Sequence, residues 1–225
     1  MAQQLPLDLP TRAALGRDAF FVTPSNAVAL ATIEAWQTWP NRKMILTGPS
    51  GAGKTHLLHV WAALTNASII NATELDRIDI SALAQGDVAV EDVQSIAGRT
   101  DLEEALFHLH NMVLAEGNSL LLTAEHPPIR WKLGLPDLAS RMQGTSVAAL
   151  EQPCDALLLA MLTKLFDDRQ LNPSPEAISY LVRHMERSAR AAVDIVARID
   201  RRSLAEGRKI TRALAAEVLD NPNDL

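Results

Sequence analysis

Apolar and polar positions alternate in two different ways along this chain. Through residue 151, short apolar runs recur at 44–47, 68–70, 88–90, 119–123 and 146–150, with helical periodicity between them. Short runs of three to five residues separated by helical stretches predict buried strands joined by crossovers, and hence a parallel, doubly wound sheet. From Pro153 onward the strand pattern disappears. Helical periodicity then covers 154–169, 175–186, 189–206 and 211–219. Pro173 and Pro175 separate the first two of these helices, and Ser188 and Thr211 stand where N-caps belong. The expected organisation is an arm over residues 1–18, an α/β domain over 19–151 and an all-helical domain over 152–225.

The first predicted strand runs straight into Gly48-Pro49-Ser50-Gly51-Ala52-Gly53-Lys54-Thr55. This fits the phosphate-binding loop G-x-x-x-x-G-K-[ST] at every fixed position. Strand, loop and helix follow in the order the motif requires, with 55–63 reading as the helix. Glycines let successive N–H groups face a phosphate, and the helix N-terminus adds its positive end. Lys54 is placed to reach the β- and γ-phosphates, and Thr55 to hold Mg²⁺. A second motif, Asp87-Val88-Ala89-Val90-Glu91-Asp92, is an apolar strand ending in two acids, with Glu91 lying 37 residues beyond Lys54. The first acid would orient Mg²⁺ and the second would polarise water. Glu91 stands where most such ATPases carry aspartate. Its extra methylene displaces the carboxylate and predicts slow hydrolysis, or binding without turnover.

With these residues in place the chain resembles the DnaA branch of the AAA+ ATPases. Residues 48–58, GPSGAGKTHLL, resemble that branch's loop, which continues into Thr-His-Leu and so brings His56 to the nucleotide. Val90-Glu91-Asp92-Val93-Gln94 is similar to its I-D-D-I-Q segment, and Leu121-Leu122-Thr123-Ala124-Glu125 to its sensor 1 strand, with Thr123 and Glu125 at the end. Ser140-Arg141 resembles the pair that carries the arginine finger, and Ser188-Ala189-Arg190 the sensor 2 segment. Phe20-Phe21-Val22 and Ser25-Asn26 resemble the segment that packs around adenine. The resemblance covers about residues 19–220. It implies a P-loop AAA+ α/β domain followed by a small helical lid, binding ADP or ATP with Mg²⁺. Arg141 would act in trans and Arg190 near the phosphates.

The departures from the initiators of this branch shape the expected function. The chain ends after the lid, without the helix-turn-helix domain of the initiators. The interval between Trp61 and Asp87 has room for one strand and one short helix, where initiators carry a helix pair that contacts single-stranded DNA. The net charge is −6 and the pI about 5.5, which argues against an extended surface for duplex DNA. Gln4-Leu5-Pro6-Leu7-Asp8-Leu9 resembles the Q-L-x-L-x-[FL] peptide with which replication proteins bind the sliding clamp, the β subunit of DNA polymerase III. Leu7 and Leu9 would fill an apolar pocket, with Leu5 beside them and the Gln4 amide at the rim. Clamp motif and core together imply a regulator that docks on the clamp and stimulates ATP hydrolysis by the initiator DnaA. Two other readings stay open: a self-sufficient AAA+ ATPase resembling a helicase loader, and a clamp adaptor whose nucleotide is only structural. A homo-oligomer is also open.

Composition adds limits. A single cysteine, Cys154, excludes an internal disulfide, fits a reducing compartment and reads as a small buried filler. No signal-peptide pattern and no apolar stretch of ~18 residues is seen, so the expected location is the cytoplasm. His56 and His59, and His108 and His110, lack a neighbouring carboxylate or Cys cluster of zinc-site type. The four tryptophans read as packing groups. The basic run Arg198, Arg201, Arg202, Arg208, Lys209 and Arg212 reads as a solvated helix face, the alternative being a surface toward DNA or the initiator.

Overall fold

The computed structural model describes Val22 and residues 26–221. Among these residues the strands are β1 (Lys43–Thr47), β2 (Ser68–Asn71), β3 (Val88–Glu91), β4 (Leu120–Ala124) and β5 (Val147–Ala149). They form one parallel sheet in the order β2-β3-β4-β1-β5. The α/β part carries helices α1 (Ala27–Glu34), α2 (Lys54–Thr65), α3 (Ile80–Leu83), α4 (Thr100–Ala115) and α5 (Pro136–Gln143). After β5 come α6 (Asp155–Asp168), α7 (Pro175–His184), α8 (Ala189–Glu206) and α9 (Arg212–Asp220).

Helices cover both faces of the sheet, so β1 and β4 are buried at all five positions and show no polar alternation. Successive side chains of β1 still part company. Met44 and Leu46 join the layer of α1 and α2 with Leu57, Leu58 and Trp61, while Ile45 joins the opposite layer with Leu106, Leu109 and Leu138. In α4 the buried Leu102, Leu106, Leu109 and Val113 lie on one stripe at helical spacing. The interval after α2 holds β2, a 3₁₀ segment at Ala72–Arg77 and the one-turn α3. No longer helix fits there.

Within the stripe of α4, Glu103 is only 1% exposed. Its carboxylate accepts from the backbone N–H groups of Gly98 (2.7 Å), Gly134 (3.0 Å) and Leu135 (2.7 Å). One side chain thereby ties the segment before α4 to the segment before α5. Hydrogen bonds to an ionised acceptor are worth about 1.5–3 kcal/mol each, and the half-exposed loops here reduce that sum. Glu103→Ala is expected to lower the unfolding free energy by about 2–4 kcal/mol in urea denaturation. A loss below about 0.5 kcal/mol, the size usual for a surface substitution, would show that water replaces all three contacts.

The four C-terminal helices enclose a core of their own, including Leu158, Leu162, Phe166, Leu181, Ile195, Ile199 and Leu214. Here α6 packs on α8 and α7 on α9. The helix starts follow from local chemistry. Ser174, Ser188 and Thr211 each accept a backbone N–H of the first turn, and Pro175 occupies a first-turn position where no N–H is required.

Candidate nucleotide site

The loop 48–53 leaves the C-terminal end of β1 near the middle of the sheet, where an open parallel sheet offers its ligand crevice. Two glycines are required by their surroundings. A Cβ on Gly48 would stand 2.6 Å from the Leu150 carbonyl oxygen. Gly51 has φ +74°, and a Cβ there would lie 2.0 Å from the Cβ of Ser188. Lys54 opens α2 and is 9% exposed. Its Nζ donates to the carbonyls of Gly48 (2.7 Å) and Pro49 (3.0 Å), so the lysine braces the loop from inside. Thr55 follows with an exposed side chain, and His56 is half-buried beside it.

The acids converge on this lysine. Burial lowers the pKa of Lys54, and Glu125, Asp92 and Glu91, in that order, act to raise it. The three carboxylates therefore face the loop lysine across the ends of β3 and β4. Asp92 takes a left-handed conformation (φ 55°, ψ 47°), and its N–H donates to Thr123 Oγ1 at 3.1 Å. The Glu125 N–H donates to Gln94 Oε1 at 3.0 Å. These bonds stitch the acidic turn after β3 to the end of β4. Gln94 belongs to the quoted acidic segment, but nothing in the local pattern marks its amide as the link.

The helical domain closes over the loop. The N–H of Ala189 donates to the Gly51 carbonyl at 3.3 Å, and Ser188 caps α8 at that contact. Arg190 lies one residue further on, so its backbone adjoins the loop. Its guanidinium is 90% exposed and reaches Asp194, one turn along α8, at 3.8 Å. Loop, Lys54, Glu91, Asp92, Thr123 and Glu125 are thus brought together, while the Arg190 side chain extends away from them.

Arg141 is elsewhere. It lies in the last turn of α5, is exposed, and has its guanidinium 5.1 Å from the centre of the Phe107 ring. Its carbonyl accepts from Lys43 Nζ at 3.2 Å. Lys43 begins β1 and the phosphate loop follows its end, so about 13 Å of strand separates them at ~3.3 Å per residue. This geometry excludes Arg141 from its own loop.

Other residues resolve into structural roles. Trp39 and Trp61 stack at 5.5 Å inside the core, and Trp131 is buried with its Nε1 on the His126 carbonyl at 2.7 Å. Cys154 is half-exposed at the start of α6, which corrects its reading as a buried filler; an N-cap position faces outward from the helix end. Four members of the basic run are tied up within their own domain. Arg198 bonds the carbonyls of Val218 and Asn221, Arg202 pairs with Glu206, Arg208 with Glu206 and Glu217, and Arg212 lies over Tyr180. Among the described residues, no group of three or more His, Cys, Asp or Glu side chains could hold a metal ion, and no helix is long and apolar enough to cross a membrane. Gln4, Leu5, Leu7, Leu9, Phe20, Phe21 and Ser25 lie outside the described residues.

A phosphate loop after β1, two acids at the end of β3, a polar strand end on β4 and a helical domain across the loop define an AAA+ architecture. The closeness to solved structures bears this out. Domain III of the replication initiation protein DnaA from Thermotoga maritima superposes with a TM-score of 0.81 at 18% identity, over 95% of this chain and 98% of that one. AMPPCP-bound DnaA from Aquifex aeolicus matches at 0.69 with 17% identity, over 84% of this chain and 65% of that one. A Thermotoga maritima RuvB mutant matches at 0.68 with 14% identity, over 90% and 70%. Residues 155–219 match the family described as the Hda lid domain. The chain thus carries an Hda-type lid over residues 155–219 and shares the fold of DnaA domain III.

Proposed function

We propose that this chain is an adenine-nucleotide-binding regulator of chromosomal replication initiation, which docks on the DNA sliding clamp and stimulates ATP hydrolysis by the initiator DnaA. The observation that carries the reading is the separation of two tools on one DnaA-like core. The phosphate loop sits under an Hda-type lid, and Arg141 is exposed beside Lys43 at the far end of β1, with about 13 Å of strand between Lys43 and the loop, where it can serve a nucleotide held by another subunit. Solved relatives of the same fold hold AMPPCP, which supports an adenine nucleotide in this loop. Thr55 offers a hydroxyl and Glu91 a carboxylate, hard oxygen donors of the kind Mg²⁺ takes. When bound, Mg²⁺ neutralises phosphate charge. The longer Glu91 side chain makes the protein's own turnover slow. The test is a three-component assay with clamp loaded on DNA, ATP-bound initiator and this protein, read as initiator ATP hydrolysis. No stimulation above the initiator alone would overturn the proposal.

The clamp contact rests on Gln4, Leu5, Leu7 and Leu9. Deleting residues 1–9 is expected to abolish co-elution with the clamp on size exclusion, with an unchanged melting curve. Apolar anchors in interface pockets contribute about 2 kcal/mol or more each, so losing the group removes micromolar binding altogether. Co-elution at unchanged affinity would reduce the segment to a tail and leave the clamp contact elsewhere.

A further inference from the structure

At the end of the sheet away from the phosphate loop lies an open cleft of about 470 Å³, lined by Asn41, Arg42, Lys43, His110, Leu114 and Arg141. It gathers cations from three elements: the turn before β1, β1 itself and α5. Lys43 is 7% exposed, yet its Nζ bonds only neutral groups, His110 Nε2 and the Arg141 carbonyl, each at 3.2 Å. A buried ammonium is normally matched by a carboxylate. Here none of Arg42, Lys43 and Arg141 forms an ion pair with a carboxylate among the described residues. Burial first, and then the neighbouring Arg141, lower the pKa of Lys43. His110, 1% exposed, is pushed down to about 4 chiefly by burial, with Lys43 and Arg141 adding to the effect. It is a neutral ring at pH 7 and offers no compensating charge. The turn that supplies Arg42 is itself unusual. Asn41 and Arg42 are consecutive left-handed residues (φ 52° and 56°), and Arg42 is anchored by a hydrogen bond to the Gly117 carbonyl. The fold thus holds Lys43 and Arg141 together against their mutual repulsion, with Arg42 lining the same cleft.

We infer that this cleft is an oxyanion site for the polyphosphate tail of a nucleotide presented by a partner subunit, with Arg42 and Lys43 binding it alongside Arg141. The inference rests on the proposed trans role of Arg141 and adds two residues to it. A phosphate chain brings the several negative charges and the acceptor oxygens that the cleft lacks. Lys43 has a second duty. Through the Arg141 carbonyl it fixes the last turn of α5, and with it the place of the Arg141 side chain.

The test uses the full-length protein with Lys54→Ala, which disables the phosphate loop, and inorganic tripolyphosphate as the probe at constant ionic strength in calorimetry. Retained binding of one tripolyphosphate is expected, weakened about tenfold by Arg42→Gln and by Lys43→Met. Arg42 is exposed, so Arg42→Gln decides the matter even if Lys43→Met fails to fold. No binding to the Lys54→Ala protein, or binding indifferent to Arg42, overturns the site. In the initiator assay both substitutions should lower stimulation about tenfold with clamp binding intact. Loss of stimulation without tripolyphosphate binding would assign the cleft to an acidic protein surface and overturn the phosphate assignment. If Arg141→Ala abolishes stimulation while Arg42→Gln and Lys43→Met leave it intact, the two added residues fall and the trans role of Arg141 stands. If Arg141→Ala leaves stimulation intact, the parent reading falls, and tripolyphosphate binding still judges the cleft on its own.

Discussion

Arg141→Ala is expected to remove the stimulation of initiator hydrolysis while leaving nucleotide and clamp binding intact. A trans-acting arginine stabilises charge on the transferring phosphoryl group, and its loss can lower a stimulated rate by ~10³ or more. A purely structural arginine predicts something different. The guanidinium lies over Phe107, and an exposed cation–π contact contributes about 0.5–1 kcal/mol. The hydrogen bond to Lys43 uses the Arg141 backbone carbonyl and survives the substitution. The variant should therefore melt within a few degrees of the parent, and any large change must come from lost chemistry. Near-normal stimulation by a folded, clamp-binding Arg141→Ala protein would eliminate the finger role and favour the adaptor reading. The two outcomes differ by orders of magnitude in one measurement.

The strands were legible because each is short and the inner ones, β1, β3 and β4, are apolar on both faces. The run 44–47 became Lys43–Thr47 and 88–90 became Val88–Glu91, shifts of one residue set by where the ladder hydrogen bonds stop. The lid helices were equally clear, since Pro175, Ser188 and Thr211 announce first turns by local chemistry. What stayed hidden depends on residues distant in sequence. Nothing in its local pattern marks Glu103, and its burial follows from loops 31 and 32 residues away folding onto it. Lys43 reads as the polar start of a strand; its partners His110 and Arg141 arrive from 67 and 98 residues on. In the nucleotide site the loop and the acids carry a motif, whereas the Gln94 amide and the Ser188 contact with Gly51 arise from docking of one segment on another. Periodicity and motif spacing report local structure and chemistry, and neither encodes such encounters.

Lys54→Ala is expected to weaken ADP or ATP binding by about 10²-fold or more. Lys54 is the loop's own cation, held at the loop by the Gly48 and Pro49 carbonyls. A charge-assisted hydrogen bond to phosphate is worth about 1.5–3 kcal/mol, and each 1.4 kcal/mol is a factor of ten in affinity. Removing the ammonium has a second consequence. Glu125, Asp92 and Glu91 all face it, so the variant leaves three carboxylates around a phosphate site with no loop cation between them. Their repulsion of a polyphosphate adds to the lost bond. Stability should move much less, because the substitution also removes the cost of burying the cation, and circular dichroism should show an unchanged helical signal. The effect is expected for ADP as well as ATP, since Lys54 addresses the β-phosphate that both carry. Calorimetry that returned the parent's affinity for either nucleotide would sink the assignment of the site. A loss confined to ATP would show instead that Lys54 serves only the γ-phosphate, and ADP would then be held by the loop N–H groups and the lid.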